Sequence, residues 1–503
     1  MTKATLIYNS RLLDESMDTP GALLILDGRI RAVFQGYFTS PETASALANS
    51  VLTEDGCNQN CKLELYDARG LTVTPAFIDM HVHMRYPGQT AKEDLDSGLH
   101  AAAAGGFGTV VAMPNTNPVV SSVELAMKIE REAAAIGLTH LFQTVSLTRD
   151  FDGKDTSHLD SVDRTYIPVI SEDGHDVLSS AVMLNAMSKA AAKGLIVSCH
   201  CEAPTLAQEA RPYRQEALTI MKSCGLSAWG SDDSFDEADE DALEQIDDNL
   251  AKANETLALA EDIATVRNIM LAKQAGCHIH ICHISTAVSI DAVRDAKNQL
   301  LDEQASENAD GADAAYDAFE EGKDFYPIPK TSGGFDVTCE VTPHHLALCG
   351  TDEPLIRALV NPPLRSEEDR IALIEALRDG TADVISTDHA PHTTEDKEAG
   401  SPGFTGLETA FGVCNKVLVK DNQFNPRRLS QLMSANPARI LGLQKGLLKS
   451  SYDADLTLFD PDEEWTVDSR MFCSKGKATP FDGKKLVGKV HALFIDGRKV
   501  FER

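Results

Sequence analysis

Eight short apolar runs separated by helix-like stretches occupy the middle of the chain, and this alternation restricts the fold more than any other feature. The runs are AFIDMHVH (76–83), GTVVAMPNT (108–116), HLFQTVSL (140–147), TYIPVISEDG (165–174), LIVSCHCE (195–202), HIHICHIS (278–285), DVTCEVTPHH (336–345) and DVISTDHAPH (383–392). Between them, 92–104, 121–136, 178–193, 258–275 and 366–378 are rich in Ala, Leu, Glu and Lys, with apolar residues at helical spacing. Alternating strands and helices make a parallel α/β sheet, and eight strands close a (β/α)8 TIM barrel. The strand bodies are apolar, whereas nearly every C-terminal end turns to His, Asn, Asp or Glu. In such a barrel that rim is where active sites are built. Solvation explains polar ends on one or two strands, but not titratable chemistry on most of them.

The barrel is expected over 73–443. The flanking segments, 1–72 and 444–503, are strand-like with tight turns (GALLILDGRIRAVF, HALFIDGRKVFE) and are expected to pair into one small composite β-domain. Residues 38–64, 208–256 and 302–334 read as insertions on composition alone. Within the second, SDDSFDEADEDALEQIDD (231–248) holds ten carboxylates and no Lys or Arg, which predicts a solvated, disordered loop.

A formal net charge of -31 argues against nucleic acid or an anionic membrane as partner. An anionic substrate would then need its own Arg in the pocket. No apolar run is long enough to span a membrane, and the N-terminus lacks the features of a secretory signal, so a cytoplasmic location is expected. Eleven cysteines, an odd number scattered partly through apolar strands, suit free thiols better than a disulfide framework. Cys57 and Cys61 form a lone C-x3-C with no second pair nearby, too little for a structural zinc site.

His81 and His83 stand two apart on the first strand and so share a face, close enough to hold one metal ion. Alone, such a pair is weak evidence, since strand-end histidines commonly just make hydrogen bonds. The weight changes when His200 ends the fifth strand, His283 the sixth and Asp388 the eighth, with Asp173 ending the fourth. Four imidazoles and two carboxylates suit Zn²⁺ or a similar divalent ion. Arg85 offers a fork of donors matched to a substrate carboxylate.

The segments PAFIDMHVHMRYPGQTAKED (75–94), GGFGTVVAMPNTNPV (105–119), SEDG (171–174), HCE (200–202), CHIST (282–286), EVTPHHL (340–346), NPPLR (361–365), STDHAPHT (386–393) and GLETA (406–410) together resemble the type I dihydroorotases of the amidohydrolase superfamily. The resemblance spans most of the chain in family order and leaves out only the insertions. It implies that His81, His83 and Asp388 hold one metal, that His200 and His283 hold a second, and that Asp173 bridges them, giving one or two Zn²⁺ per subunit. Many relatives, hydantoinases and allantoinases among them, bridge with a carboxylated lysine; Asp173 stands at that place here. The resemblance further implies that Arg85, Asn115 and His392 hold the α-carboxylate of dihydroorotate, that Asn361 contacts the ring, and that main chain at Gly403 and Phe404 touches the substrate. His344 and His345 acquire no metal role and read as structural.

The implied activity is the reversible cyclisation of N-carbamoyl-L-aspartate to L-dihydroorotate in de novo pyrimidine (UMP) synthesis. In the hydrolytic direction a metal-bound hydroxide attacks the cyclic amide, and Asp388 serves as general acid and base. A hydantoinase, dihydropyrimidinase or allantoinase would share the metal set; Arg85, Lys92-Glu93, NPPLR and DHAPH favour a dihydroorotase. An inactive dihydroorotase-like scaffold for an aspartate transcarbamoylase would be expected to have lost ligands, and all six are present. A homodimer, and association of an active enzyme with aspartate transcarbamoylase, are compatible partners.

Overall fold

The computed structural model describes residues 2–54, 61–226, 239–307, 334–351 and 359–503. Its centre is a barrel of eight parallel strands: β1 (Phe77–Val82), β2 (Phe107–Ala112), β3 (His140–Gln143, continued by Val145–Ser146), β4 (Val169–Ser171), β5 (Ile196–Cys199), β6 (His278–Ile281), β7 (Asp336–Val341) and β8 (Val384–Ile385). Neighbours pair in sequence order. The two halves of β3 face different partners: Thr109–Ala112 of β2 pairs with His140–Gln143, and Val145–Ser146 pairs with β4. The ring is closed by a parallel bridge between Val82 and His389, with His83 N donating to His389 O at 2.8 Å. All six residues of β1 are buried, as are all six of β2 and of β7, which is why these strands read as apolar runs instead of alternating ones.

The strands end sooner than their sequence runs suggest. Tyr166 and Pro168 precede β4, and Asp173, His200, His283 and Asp388 all lie one to three residues past a strand end. Several of these rim positions are left-handed: Arg85 (φ 53°), Cys201 (52°), His283 (31°) and Asp388 (47°). Non-glycine residues in that region are uncommon and store backbone strain, and such residues concentrate at functional sites.

Local capping explains where the surrounding helices start and stop. Asp94 and Ser97 form a capping box at the start of Leu95–Gly105, which ends at left-handed Gly106; Ser179 caps Ser180–Lys193, which ends at left-handed Gly194.

The expectation of a disordered acidic loop fails from Glu240 onward. A single 36-residue helix, Glu240–Ala275, begins inside the acidic run. Its buried Ile246, Leu250, Ala253 and Leu257, at helical spacing, pack with Ala210, Ala217 and Met221 of the helix Pro204–Ser223. The carboxylates occupy the outer face, so charge and helix coexist. Residues 231–238 of that run lie outside the described residues. In the third insertion, 302–307 continue the helix Ala287–Glu307, and 308–333 lie outside the description. In the first, the helix Pro41–Glu54 sets Ala44, Ala48 and Leu52 against Leu6, Ala22 and Leu24; Cys57 is outside the described residues.

N- and C-terminal segments share one eight-stranded sheet beside the barrel. The join is Thr72–Pro75, parallel to Thr2–Leu13 on one side and antiparallel to Leu456–Thr466 on the other. Thr72–Pro75 leads directly into β1, so the sheet is anchored to the barrel at the strand that carries His81. No helix among the described residues is long and apolar enough to cross a membrane.

Candidate active site

The C-terminal ends of the barrel strands surround a cavity of about 240 Å³. His83, Arg85, Asn115, Asp173, His200, His283, Asn361, Asp388, His392 and Gly403 line it. His81 lies beneath, fully buried. Phe404 does not line the cavity; its buried ring packs edge-on against His344, with centroids 5.3 Å apart.

Asp173 is the hub. Its Oδ1 is 3.4 Å from His81 Nε2, 3.3 Å from His200 Nδ1 and 4.0 Å from His283 Nε2, while Oδ2 is 3.6 Å from His83 Nε2. Asp388 Oδ1 lies 3.1 Å from His83 Nε2 and 3.6 Å from His81 Nε2. His200 Nδ1 and His283 Nε2 face one another at 3.0 Å. Two overlapping donor sets result, His81–His83–Asp388 and His81–Asp173–His283, each with its ligand atoms within 4.8 Å of one another.

The donors fit a divalent ion. His81 Nε2, Asp173 Oδ1 and His283 Nδ1 are buried polar atoms without a hydrogen-bond partner. Leaving such atoms unpaired costs free energy, and a cation in contact with the first two removes the cost. Imidazole nitrogen with carboxylate oxygen is a donor set that zinc accepts.

Electrostatics sharpen the contrast between neighbours. Burial alone would raise Asp173, but the charge on His81 and the close approach of the His200 imidazole hold it well below the usual carboxylate range. Asp388 is lowered in the same way, by His83 and His81 against its burial. Burial drags His283 down to about 3, whereas Asp173 outweighs burial at His200 and lifts it to about 9.

Hydrogen bonds orient the ligands from behind. His81 Nδ1 lies 2.7 Å from Glu340 Oε1, an atom that also accepts from His283 N at 3.2 Å; Glu340 Oε2 is 3.0 Å from His280 Nε2. Asn115 links two ligands, with Oδ1 2.9 Å from His83 Nδ1 and Nδ2 donating to Asp173 Oδ2 at 3.0 Å.

A cationic corner adjoins the donor set. Arg85 Nε donates to Pro391 O at 3.1 Å, and its Nη2 lies 3.2 Å from His392 Nε2; Lys92 Nζ approaches His392 Nδ1 at 3.4 Å. Burial lowers Arg85 to about 10, still charged at neutral pH, and lowers His392 to about 3 with Arg85 beside it. Gly403 packs beside His392 at φ 133°, where a Cβ would sit 2.7 Å from Ala390 O, so this close approach requires glycine. Lys397 Nζ donates to Leu359 O (3.0 Å), Ser401 O (2.7 Å) and Gly403 O (2.8 Å), tying the rim loop to the segment that carries Asn361. His345 serves the scaffold, 2.7 Å from the Thr342 hydroxyl and 3.1 Å from Pro362 O.

Sequence reasoning attached no role to Glu340, Glu202, Arg214 or Lys397. For Glu340 a signal exists: a lone carboxylate inside the apolar run DVTCEV has to be paired if it is buried. Glu202 ends the run LIVSCHCE, a strand end of the same kind as those that carry the ligands, so its position held a signal too; Arg214 and Lys397 lie on helices, where a charged residue is unremarkable.

Comparison with known proteins agrees with this geometry. Residues 72–500 match the family model described as "Amidohydrolase family". The dihydroorotase of Clostridium botulinum (strain Eklund 17B / Type B) is 33% identical over 99% of both chains, and that of Anaeromyxobacter dehalogenans (strain 2CP-1 / ATCC BAA-258) 34% identical over 100% of this chain and 99% of its own. The chain belongs to the amidohydrolase family, in its dihydroorotase branch. Among solved structures, an L-hydantoinase (dihydropyrimidinase) from Arthrobacter aurescens superposes with a TM-score of 0.71 at 24% identity, covering 99% of this chain and 96% of its own. A D-hydantoinase gives 0.72 at 19%, covering 100% and 95%. At these identities the likeness concerns the barrel and its companion sheet, not the substrate. The chain is thus a cyclic amidohydrolase whose barrel rim presents grouped His and Asp donors.

Proposed function

We propose that the chain is a zinc-dependent dihydroorotase interconverting N-carbamoyl-L-aspartate and L-dihydroorotate, a step of pyrimidine synthesis carried out in the cytoplasm. The observation that carries this reading is the adjacency of the His/Asp donor set to Arg85 and His392 in one cavity. A cyclic amide bearing a carboxylate needs both halves, one for the reacting carbonyl and one for the carboxylate. In this reading 73–443 carry the chemistry, and 1–72 with 444–503 form the accessory β-domain.

His81, His83 and Asp388 would hold one ion and His200 and His283 a second, with Asp173 between them. Bound there, zinc supplies Lewis acidity toward water and toward the ring carbonyl. The protein does the rest. Arg85, Asn115 and His392 grip the α-carboxylate, and Asn361 and the main chain at Gly403, the member of the Gly403–Phe404 pair that lines the cavity, position the ring. Asp388 holds the transferable proton: in hydrolysis it takes one from the attacking water and passes it to the leaving ring nitrogen, and in ring closure it takes one from the attacking carbamoyl nitrogen and passes it to the departing hydroxyl.

Assaying the purified, zinc-supplemented protein on dihydroorotate, dihydrouracil, hydantoin and allantoin tests the assignment. Turnover of dihydroorotate alone is expected; activity only on the other three would overturn it. Light scattering of the protein, alone and mixed with an aspartate transcarbamoylase, tests the accompanying expectation of a homodimer and of that association.

A further inference from the structure

Arg214 lies on the helix Pro204–Ser223, within the stretch that carries none of the dihydroorotase-like segments, yet its side chain reaches the active-site rim. Arg214 Nη1 donates to Asn361 Oδ1 at 2.8 Å, and Nη2 donates to Val360 O at 3.0 Å. On the other side, Asn361 Nδ2 donates to Glu202 Oε2 at 2.6 Å. Asn361 itself lines the cavity.

The two ends of an asparagine amide are nearly the same in shape, so its partners decide which end points where. A guanidinium only donates and a carboxylate only accepts. Between Arg214 and Glu202 the Asn361 amide therefore has one permitted orientation, with oxygen toward Arg214 and nitrogen toward Glu202. One N–H and one oxygen lone pair remain for a ligand. The second Arg214 bond holds the backbone of the same segment, so rotating the amide and shifting the segment are both opposed by one side chain.

We propose that Arg214 is a positioning residue that sets the Asn361 amide for the imide-like edge of a cyclic substrate, so that a helix outside the dihydroorotase-like segments tunes ring binding. The proposal rests on the reading of Asn361 as a ring contact.

A double-mutant cycle tests it. R214M is expected to raise KM for dihydroorotate about tenfold, the size of one lost charged hydrogen bond, with kcat changed less than threefold. R214K keeps the charge but cannot span both acceptors, and should recover only part of the loss. In the N361A background, R214M should add less than a twofold change, because the group it acts through is gone. The affinity of the zinc-loaded variants for carbamoyl aspartate, measured by calorimetry, should follow the same pattern. Additive effects of R214M and N361A would overturn the proposal while leaving Asn361 as a ring contact. A native KM in N361A would overturn that contact, and the proposal with it. Should R214M fail to fold, R214K and R214Q run through the same cycle carry the test.

Discussion

His81 Nδ1 and Glu340 Oε1 lie 2.7 Å apart, and neither side chain is exposed to solvent. This contact keeps a proton on Nδ1, so that Nε2, which faces Asp173 and Asp388, is the atom able to ligate a metal ion once its own proton is displaced. Because Oε1 also accepts from His283 N, one carboxylate aligns ligands from two strands. Glu340→Gln should therefore weaken zinc retention by about 10- to 100-fold with KM little changed when zinc is in excess. Metal analysis after dialysis against a graded chelator checks this; unaltered zinc retention would count against the role.

Asp388→Asn removes both a ligand and the proton carrier. A loss of about 10³-fold in kcat is expected, with binding of carbamoyl aspartate largely retained by Arg85 and His392. Calorimetry and steady-state kinetics on one zinc-loaded preparation measure both quantities, and near-native kcat would refute the assignment.

Lys397 is buried at the junction of the rim loop and the Leu359–Asn361 segment, its ammonium satisfied by three carbonyls. Lys397→Met leaves the Ser401 and Gly403 carbonyls without this donor, while Leu359 O keeps its bond from Gly403 N (2.7 Å), so the loop is loosened at one of its two ties. An increase of about tenfold in KM is expected, accompanied by faster cleavage within 393–406 by a nonspecific protease. Protection equal to that of the unaltered chain would show that the ammonium does not hold the loop.

Asp455 couples the barrel to its companion sheet. Its Oδ2 lies 2.5 Å from Lys445 Nζ and 3.3 Å from His140 Nε2, and Oδ1 accepts from Asp496 N at 2.9 Å. Burial acts to raise this carboxyl, but His140 and Lys445 prevail and lower it to about 2, from an ordinary 3.8. A carboxyl lowered on folding stabilises the fold fully above its ordinary value, and that stability is lost as pH falls from about 4 toward 2. The shift corresponds to about 2 kcal/mol. Asp455→Asn should lower Tm at pH 6, and the gap from the unaltered chain should narrow as pH falls through this window. A gap that stays constant with pH would exclude the linkage.

Local pattern was enough to identify the barrel. Runs such as AFIDMHVH and DVISTDHAPH are apolar because strands covered on both faces exclude water, and caps such as Asp94 with Ser97 are written in adjacent residues. The same local logic misled from Glu240 onward, where the carboxylates of the acidic run masked the helical spacing of Ile246, Leu250 and Leu257. Burial against the neighbouring helix, which composition does not record, holds that part of the chain in order.

The residue types of the site, their strand-end positions and the order of the strands were determined by the sequence itself, because each is a property of a short stretch. Only the closed barrel decided which of them meet. His83 and Asp388 are 305 positions apart and come within 3.1 Å because His389 bridges back to Val82. The central place of Asp173, the support of His81 by Glu340 and the grip of Arg214 on Asn361 share that origin. Each joins groups 27 to 259 positions apart on different elements, and no periodicity along the chain encodes such a distance.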